Sequence, residues 1–261
     1  MKSITYFNDN YLAQEPKLRS HYINQTNTGE SNRFTNLKNY LKSYGPLPEG
    51  TSYLGLCNDG LPLFMDLGDS TSGSLMIVGD EPNRLVRFLR FFIASTMAIN
   101  PPSIFRCSVI SPNIGFFADL SQTGHMEKMY SSFETAAFEH IVDLAILAEQ
   151  RRSGRHTGVI HLLIIDDLIQ ILKYRDFDTL NHLSWLISNG PRNSVWTAAT
   201  IDRNSLSIAD KKIISTFGTY IFNNPIFDRA PILGPGNGSP VDNFTTQIGS
   251  QSIHFHLPNF E

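Results

Sequence analysis

Three short stretches of this chain carry residues whose types and spacing could do chemistry on a phosphate ester. The first is Gly79-Asp80-Glu81-Pro82-Asn83-Arg84-Leu85, which follows the apolar run SLMIV. A turn that grips a nucleoside triphosphate wraps backbone amides round the phosphates, sets a Lys on the terminal ones and a Ser or Thr hydroxyl on Mg²⁺. The second is Asp166-Asp167, which ends the run VIHLLII. Paired acids in that place hold Mg²⁺ through water and orient the attacking water. The third is Thr200-Ile201-Asp202-Arg203, at the end of SVWTAAT. In an open parallel sheet a ligand sits outside the carboxyl ends of the strands, and all three stretches fall there.

The set is incomplete. The first turn offers one glycine, neither Lys nor hydroxyl, and is about one residue short of the working pattern, with Asn83-Arg84-Leu85 where Gly-Lys-Ser or Gly-Lys-Thr would fall. Asp80 and Glu81 suit the positive end of a helix dipole and repel a triphosphate. Gly79, Asp80, Asn83, Arg84 and Leu85, with Thr200, are therefore the vestigial cofactor-binding set, and Asp166 and Asp167 the vestigial catalytic acids. Other readings stand beside these. Arg84 either replaces the Lys through its guanidinium fork or joins Arg87 and Arg90 in a solvated stripe. The two acids either hold an ion or merely cap a helix. Arg192 and Arg203 either reach a neighbour's site or are ordinary surface residues. His254 and His256 alternate on one strand face without a third ligand nearby, and Cys57 and Cys107 lack CxxC spacing, so neither metal nor disulfide is expected. Trp185 and Trp196 sit in apolar patterns and read as core.

These stretches need strands and helices to position them. The segment SYLGLCNDGLPLFMDL reads as a hairpin turning at Asp59-Gly60. SLMIV, a glycine turn and the apolar helix RLVRFLRFFIASTM form the first βα unit. FRCSVI is a second strand, with a loop after Pro112 and a long helix over 133–152. VIHLLII is the third strand, 177–188 a further helix, SVWTAAT a fourth strand, and 220–222 and 252–256 are strand candidates. Such alternation predicts an α/β fold with a mainly parallel sheet covered by helices on both faces. Ahead of it, residues 1–33 read as an extended arm and 34–44 as a short amphipathic helix stopped by Gly45-Pro46. Domain boundaries follow at 1–45 for arm and helix and 46–261 for the main domain. The Gly/Pro-rich stretch 231–240 reads as a surface loop.

Composition narrows the function classes. At 261 residues, 41% apolar and 17% charged, a folded chain is the default. A net charge of -3 and a pI near 6.2 leave no global basic field for nucleic acid, so DNA would need a local patch. The amino terminus lacks the apolar core of a signal peptide, and no uncharged run approaches a bilayer span, so the expected location is cytoplasmic.

The order of these motifs resembles the motor domain of the FtsK/SpoIIIE branch of the FtsK/HerA-type P-loop translocases. The resemblance runs through GLCNDGLPLFMDL, SLMIVGDEPNRLVRFLRFF, FRCSVISPN, the helix ending AEQRR, HLLIIDDLIQIL as Walker B, and VWTAATIDR. It implies a P-loop NTPase, RecA-like fold and, in an intact member, a ring-forming ATP-driven pump of DNA or protein. Here the family's "DPK" segment reads Ser111-Pro112-Asn113 and its sensor Gln is Ile201. The expectation is a degenerate ATPase domain acting as a structural or docking subunit among protein partners, with an active ATPase and DNA as candidate partners. No cofactor is expected; ATP and Mg²⁺ are the cofactors if the site works. Two alternatives stay open: an active translocase with an atypical loop, and a nucleic-acid-binding module without catalysis.

Overall fold

The computed structural model describes residues 27–154, 158–173, 176–223, 242–248 and 251–258. A ten-stranded sheet runs through the molecule in the order β2-β1-β10-β9-β8-β3-β7-β6-β4-β5. The parallel part comprises β8 (Thr219–Asn223), β3 (Leu75–Gly79), β7 (Val195–Asp202), β6 (Ile160–Ile165), β4 (Phe105–Ser111) and β5 (Met126–Ser131). Beside β8 the sheet turns antiparallel through β9 (Asn243–Ile248), β10 (Gln251–His256), β1 (Thr51–Cys57) and β2 (Pro62–Asp66).

Burial explains why the central strands form. β3, β4, β6 and β7 are almost continuously buried because helices cover both faces of the sheet, so a strict alternation of apolar and polar residues has no use there. On one face α2 (Pro82–Ile99) buries Leu85, Phe88, Leu89, Phe92 and Ile93 against Leu75, Ile77, Val109 and Trp196. On the other, α3 (Thr135–Arg152), α4 (Leu168–Lys173) and α5 (Phe177–Asn189) cover Met76, Val78, Ile110, Leu163 and Ile165. A four-residue helix, α6 (Lys211–Ile214), adds Ile213 to that side.

The β1–β2 hairpin turns at Asn58-Asp59-Gly60 as its sequence predicts. Gly60 takes φ 84°, and the Asp59 carboxylate accepts from the Leu61 amide at 3.0 Å. Its tie to the helical layer runs through Asn100, which follows α2: the side chain accepts from Gly50 N at 2.7 Å and donates to Thr51 O and Thr96 O at 2.9 Å each.

The elements depart from the sequence expectation in three places. The first helix, α1 (Asn27–Lys42), begins within the stretch read as an extended arm, and packs Leu37 and Leu41 on Tyr53. β5 is an edge strand with the text MEKMYS, half exposed and poor in β-branched residues, and its polar pattern hid it within a loop. β9, with the text NFTTQI, completes the antiparallel part between β8 and β10, and its polar pattern left it unread beside the candidate 252–256. The Gly/Pro-rich stretch 231–240 and most of the amino-terminal arm lie outside the described residues.

Candidate functional site: the turn after the first parallel strand

The carboxyl ends of β3, β7 and β8 meet at one edge of the parallel sheet, with Gly79 opposite Asp202 and Val78 opposite Phe222. In a fold of this kind that edge is where a nucleotide would sit. The connection there is very short. β3 ends at Gly79, only Asp80 and Glu81 intervene, and α2 starts at Pro82. The helix ladder closes at once, with Arg84 N and Leu85 N both donating to Glu81 O. Pro82 has no amide hydrogen, so the first helical position gives no donor to an anion. Pro82 thus interrupts the run of amides that a phosphate cradle is made of.

Space is short as well. A Cβ placed on Gly79 would lie 2.8 Å from Leu85 Cδ2 and 2.9 Å from Asn223 Cβ, so the Leu85 side chain folds back over the glycine. The buried Oδ1 of Asn223 has no hydrogen-bond partner among the described residues, while its Nδ2 donates to Asn243 O at 3.0 Å.

The charged groups at the turn pair with one another. Arg84, buried at 8% exposure, sets Nε 2.9 Å from Glu81 Oε2 and 3.7 Å from Asp242 Oδ1. Arg87 reaches the other oxygen of Asp242 at 3.1 Å. Arg90 forks onto both oxygens of Asp119 at 2.9 Å. The solvated arginine stripe is therefore a row of ion pairs, because each arginine of α2 meets an acid from another part of the chain or from the preceding turn. Arg203, just after β7, bridges Asp80 of the β3–α2 turn at 3.2 Å and donates to Asn223 O of β8 at 2.9 Å, so it ties three strand ends together. Asn83 is exposed on the first turn of α2. Arg192 stands at the opposite end of the sheet, in the short helix that precedes β7, and the structure does not bring it to this site.

A second cluster forms one strand away. Asp166 is almost fully buried and accepts from Ser111 Oγ at 2.7 Å and Thr200 Oγ1 at 3.1 Å. Thr200 Oγ1 in turn accepts from the Asp167 amide at 2.8 Å, and Ser111 Oγ accepts from Asn113 N at 3.0 Å. Burial pushes the Asp166 carboxyl above its usual range, the two hydroxyl donors pull it back, and neighbouring Asp167 adds to the rise. The carboxylate thus locks the ends of β4, β6 and β7 together. Asp167 adopts φ 61°, a left-handed conformation that Asp tolerates, and accepts from Gln170 Nε2 at 3.0 Å on the following helix. Sequence reasoning missed Ser111 and Asp242 as members of these clusters. Ser111 was legible only as part of a broken motif, and Asp242 carries no local signal because it comes from far along the chain.

Among the described residues no group of three or more His, Cys, Asp or Glu could hold a metal, and no helix is long and apolar enough to cross a membrane. Trp196 is core, donating its indole hydrogen to Leu67 O at 2.9 Å, and His254 meets Thr245 across the strand pair.

Neither a family model nor a curated protein matches this chain. Solved structures do, at the level of fold. The chain is similar to Thermomonospora curvata EccC (ATPases 2 and 3), described in complex with a signal sequence peptide, with TM-score 0.61, 16% identity and coverage of 80% of this chain and 40% of that one. It is similar to EssC (ATPases 2 and 3) from Geobacillus thermodenitrificans, with TM-score 0.61, 13% identity and coverage of 81% and 47%. The pCW3 conjugation coupling protein TcpA, described with ATPγS, matches with TM-score 0.58, 13% identity and coverage of 84% and 68%. The fold is thus the α/β fold of P-loop ATPase domains, and the chain spans under half the length of the EccC and EssC chains.

Proposed function

We propose that this chain is a P-loop ATPase-like domain that has given up nucleotide chemistry and serves as a docking subunit beside another domain of the same fold, in an assembly of the secretion or conjugation kind. The observation that carries the reading is the turn at Gly79 to Leu85. It begins its helix two residues after the strand, covers its glycine with Leu85 and commits its arginines to Asp242, Glu81 and Asp80. A triphosphate would have to break those pairs and find neither Lys nor hydroxyl, so the transition-state charge of phosphoryl transfer has no clamp.

The docking half of the reading rests on the surface at the same end of the sheet. Ile114, Phe116, Phe133 and Ile208 are exposed just past the carboxyl ends of β4, β5 and β7, with Phe133 at 64% and Ile208 at 72%. Apolar side chains exposed at one end of a domain suit a protein partner better than a phosphate backbone. The EccC and EssC neighbours are described as chains of two ATPases, which makes another unit of this fold the natural occupant.

The test is Mg²⁺-dependent ATP turnover together with the melting temperature in ATP·Mg²⁺. The expected result is no turnover and no nucleotide-induced rise in Tm. Turnover that disappears in Asp167→Asn would instead establish an active enzyme.

A further inference from the structure

We propose that Asp242 is an internal substitute for a bound phosphate: a carboxylate that the chain itself supplies to the Arg84–Arg87 pair, holding the turn shut. The proposal rests on the reading that the turn takes no nucleotide, and it states what fills the charge vacancy there.

Arg84 is the third residue of α2 and Arg87 lies one turn on. Cations at a helix amino terminus oppose the positive end of its dipole, so two of them there call for an anion. The need is sharper because Arg84 is buried, and a buried cation is stable only when paired. Glu81 meets part of that need from the surface, with half of its side chain exposed. Asp242 meets the rest from inside. Only 7% exposed, it reaches Arg84 with one oxygen at 3.7 Å and Arg87 with the other at 3.1 Å. Arginine pairs with phosphate as it does with carboxylate, so a carboxylate between these two guanidiniums stands where phosphate oxygens could. Here the oxyanion is covalently part of the chain.

Its placement is firm. Asp242 directly precedes β9, which pairs with β8 on one side and β10 on the other, and its carbonyl accepts from Leu257 N at 3.2 Å. The anion is therefore delivered by the antiparallel half of the sheet to a helix of the parallel half. Withdrawing the charge while keeping the shape should leave two arginines with Glu81 as their remaining anion, a site that takes inorganic phosphate.

The test compares Asp242→Asn with Asp119→Asn, which removes the partner of Arg90 in the same helix. Melting temperatures are read in inorganic phosphate and in chloride at matched ionic strength. Asp242→Asn is expected to melt below wild type in chloride and to recover by about 2–4 °C in phosphate, the shift that a ligand at a few times its Kd gives a chain of this size. Wild type and Asp119→Asn should show no phosphate-specific recovery, and the triple variant Arg84→Gln, Arg87→Gln, Asp242→Asn should lose it. Equal responses in Asp242→Asn and Asp119→Asn overturn the proposal, as does a response of the same size in wild type or one that persists in the triple variant. If Asp242→Asn does not fold during expression, its refolding yield in the two salts is read instead, and an equal yield overturns the proposal. A wild-type Tm raised by ATP·Mg²⁺ would be a different failure, that of the reading of the turn itself.

Discussion

Asp166 shows what a position is worth once its surroundings are known. A carboxylate with two hydroxyl donors and almost no water is a joint between three strands, and burial holds its proton more tightly in the folded protein than in the unfolded chain. With the folded pKa above the ordinary Asp value, the stability this group lends is present at low pH. It is lost as pH rises through the raised folded value, because the unfolded chain has by then released its proton. The Asn isostere does not titrate, so subtracting its stability isolates the effect. Urea midpoints measured from roughly pH 4 upward should show wild type losing ground to Asp166→Asn as pH rises, and parallel curves would contradict this. His161 titrates with the opposite sign. Burial lowers it to about 4, against the pull of Glu127 at 3.2 Å, so the neutral ring donates to Glu127 and accepts from Ser108, and its contribution fades as pH falls. The two groups must be kept apart by mutation rather than by pH alone.

At the scale of elements, the joins between strands and helices hold the candidate site in place. α2 carries the arginines at its start, and its end is fastened to the hairpin by Asn100, only 2% exposed and making three hydrogen bonds to backbone groups. Beside it Ser52 and Thr96 share a hydrogen bond at 2.8 Å, and Ser95 donates to Tyr53 O at 2.8 Å. Removing the Asn100 amide leaves Gly50 N and Thr51 O buried without partners, and each such group costs about 1–3 kcal/mol. Asn100→Ala should therefore lose roughly 2–4 kcal/mol in chemical denaturation, with native-state hydrogen exchange rising in β1 and at the end of α2. A loss confined to about 0.5 kcal/mol would mean that water takes over these bonds.

For the whole molecule, the sheet separates two apolar layers that depend on each other, and α1 adds a third, smaller one. Leu37 and Leu41 cover Tyr53, which also packs among Tyr40, Tyr44, Phe64 and Phe91. A chain starting at residue 46, the boundary expected from sequence, would uncover this aromatic group. Two buried leucines are worth about 3–6 kcal/mol together, so the shortened chain should unfold at clearly lower denaturant than the full one. Equal midpoints would establish 46–261 as the self-sufficient domain and make α1 an appendage.

How much of this was legible depended on the range over which each signal acts. Apolar runs, their spacing and the Asp-Gly turn are local, and they determined the parallel strands other than β5, the long helices on both faces and the hairpin. The absence of Lys and hydroxyl after β3 is likewise a statement about adjacent residues, and the proposal of a missing phosphate clamp starts from it. Tertiary structure alone decided the rest. β5 and β9 have little apolar pattern of their own and exist because neighbouring strands offer them hydrogen-bonding edges. The partners of Arg84, Arg87, Arg90 and Arg203 come from other elements, and no periodicity along one helix can reveal them. Ion pairing at the turn joins residues 84 and 242, so the charge state of that corner is fixed only when the sheet brings its two halves together.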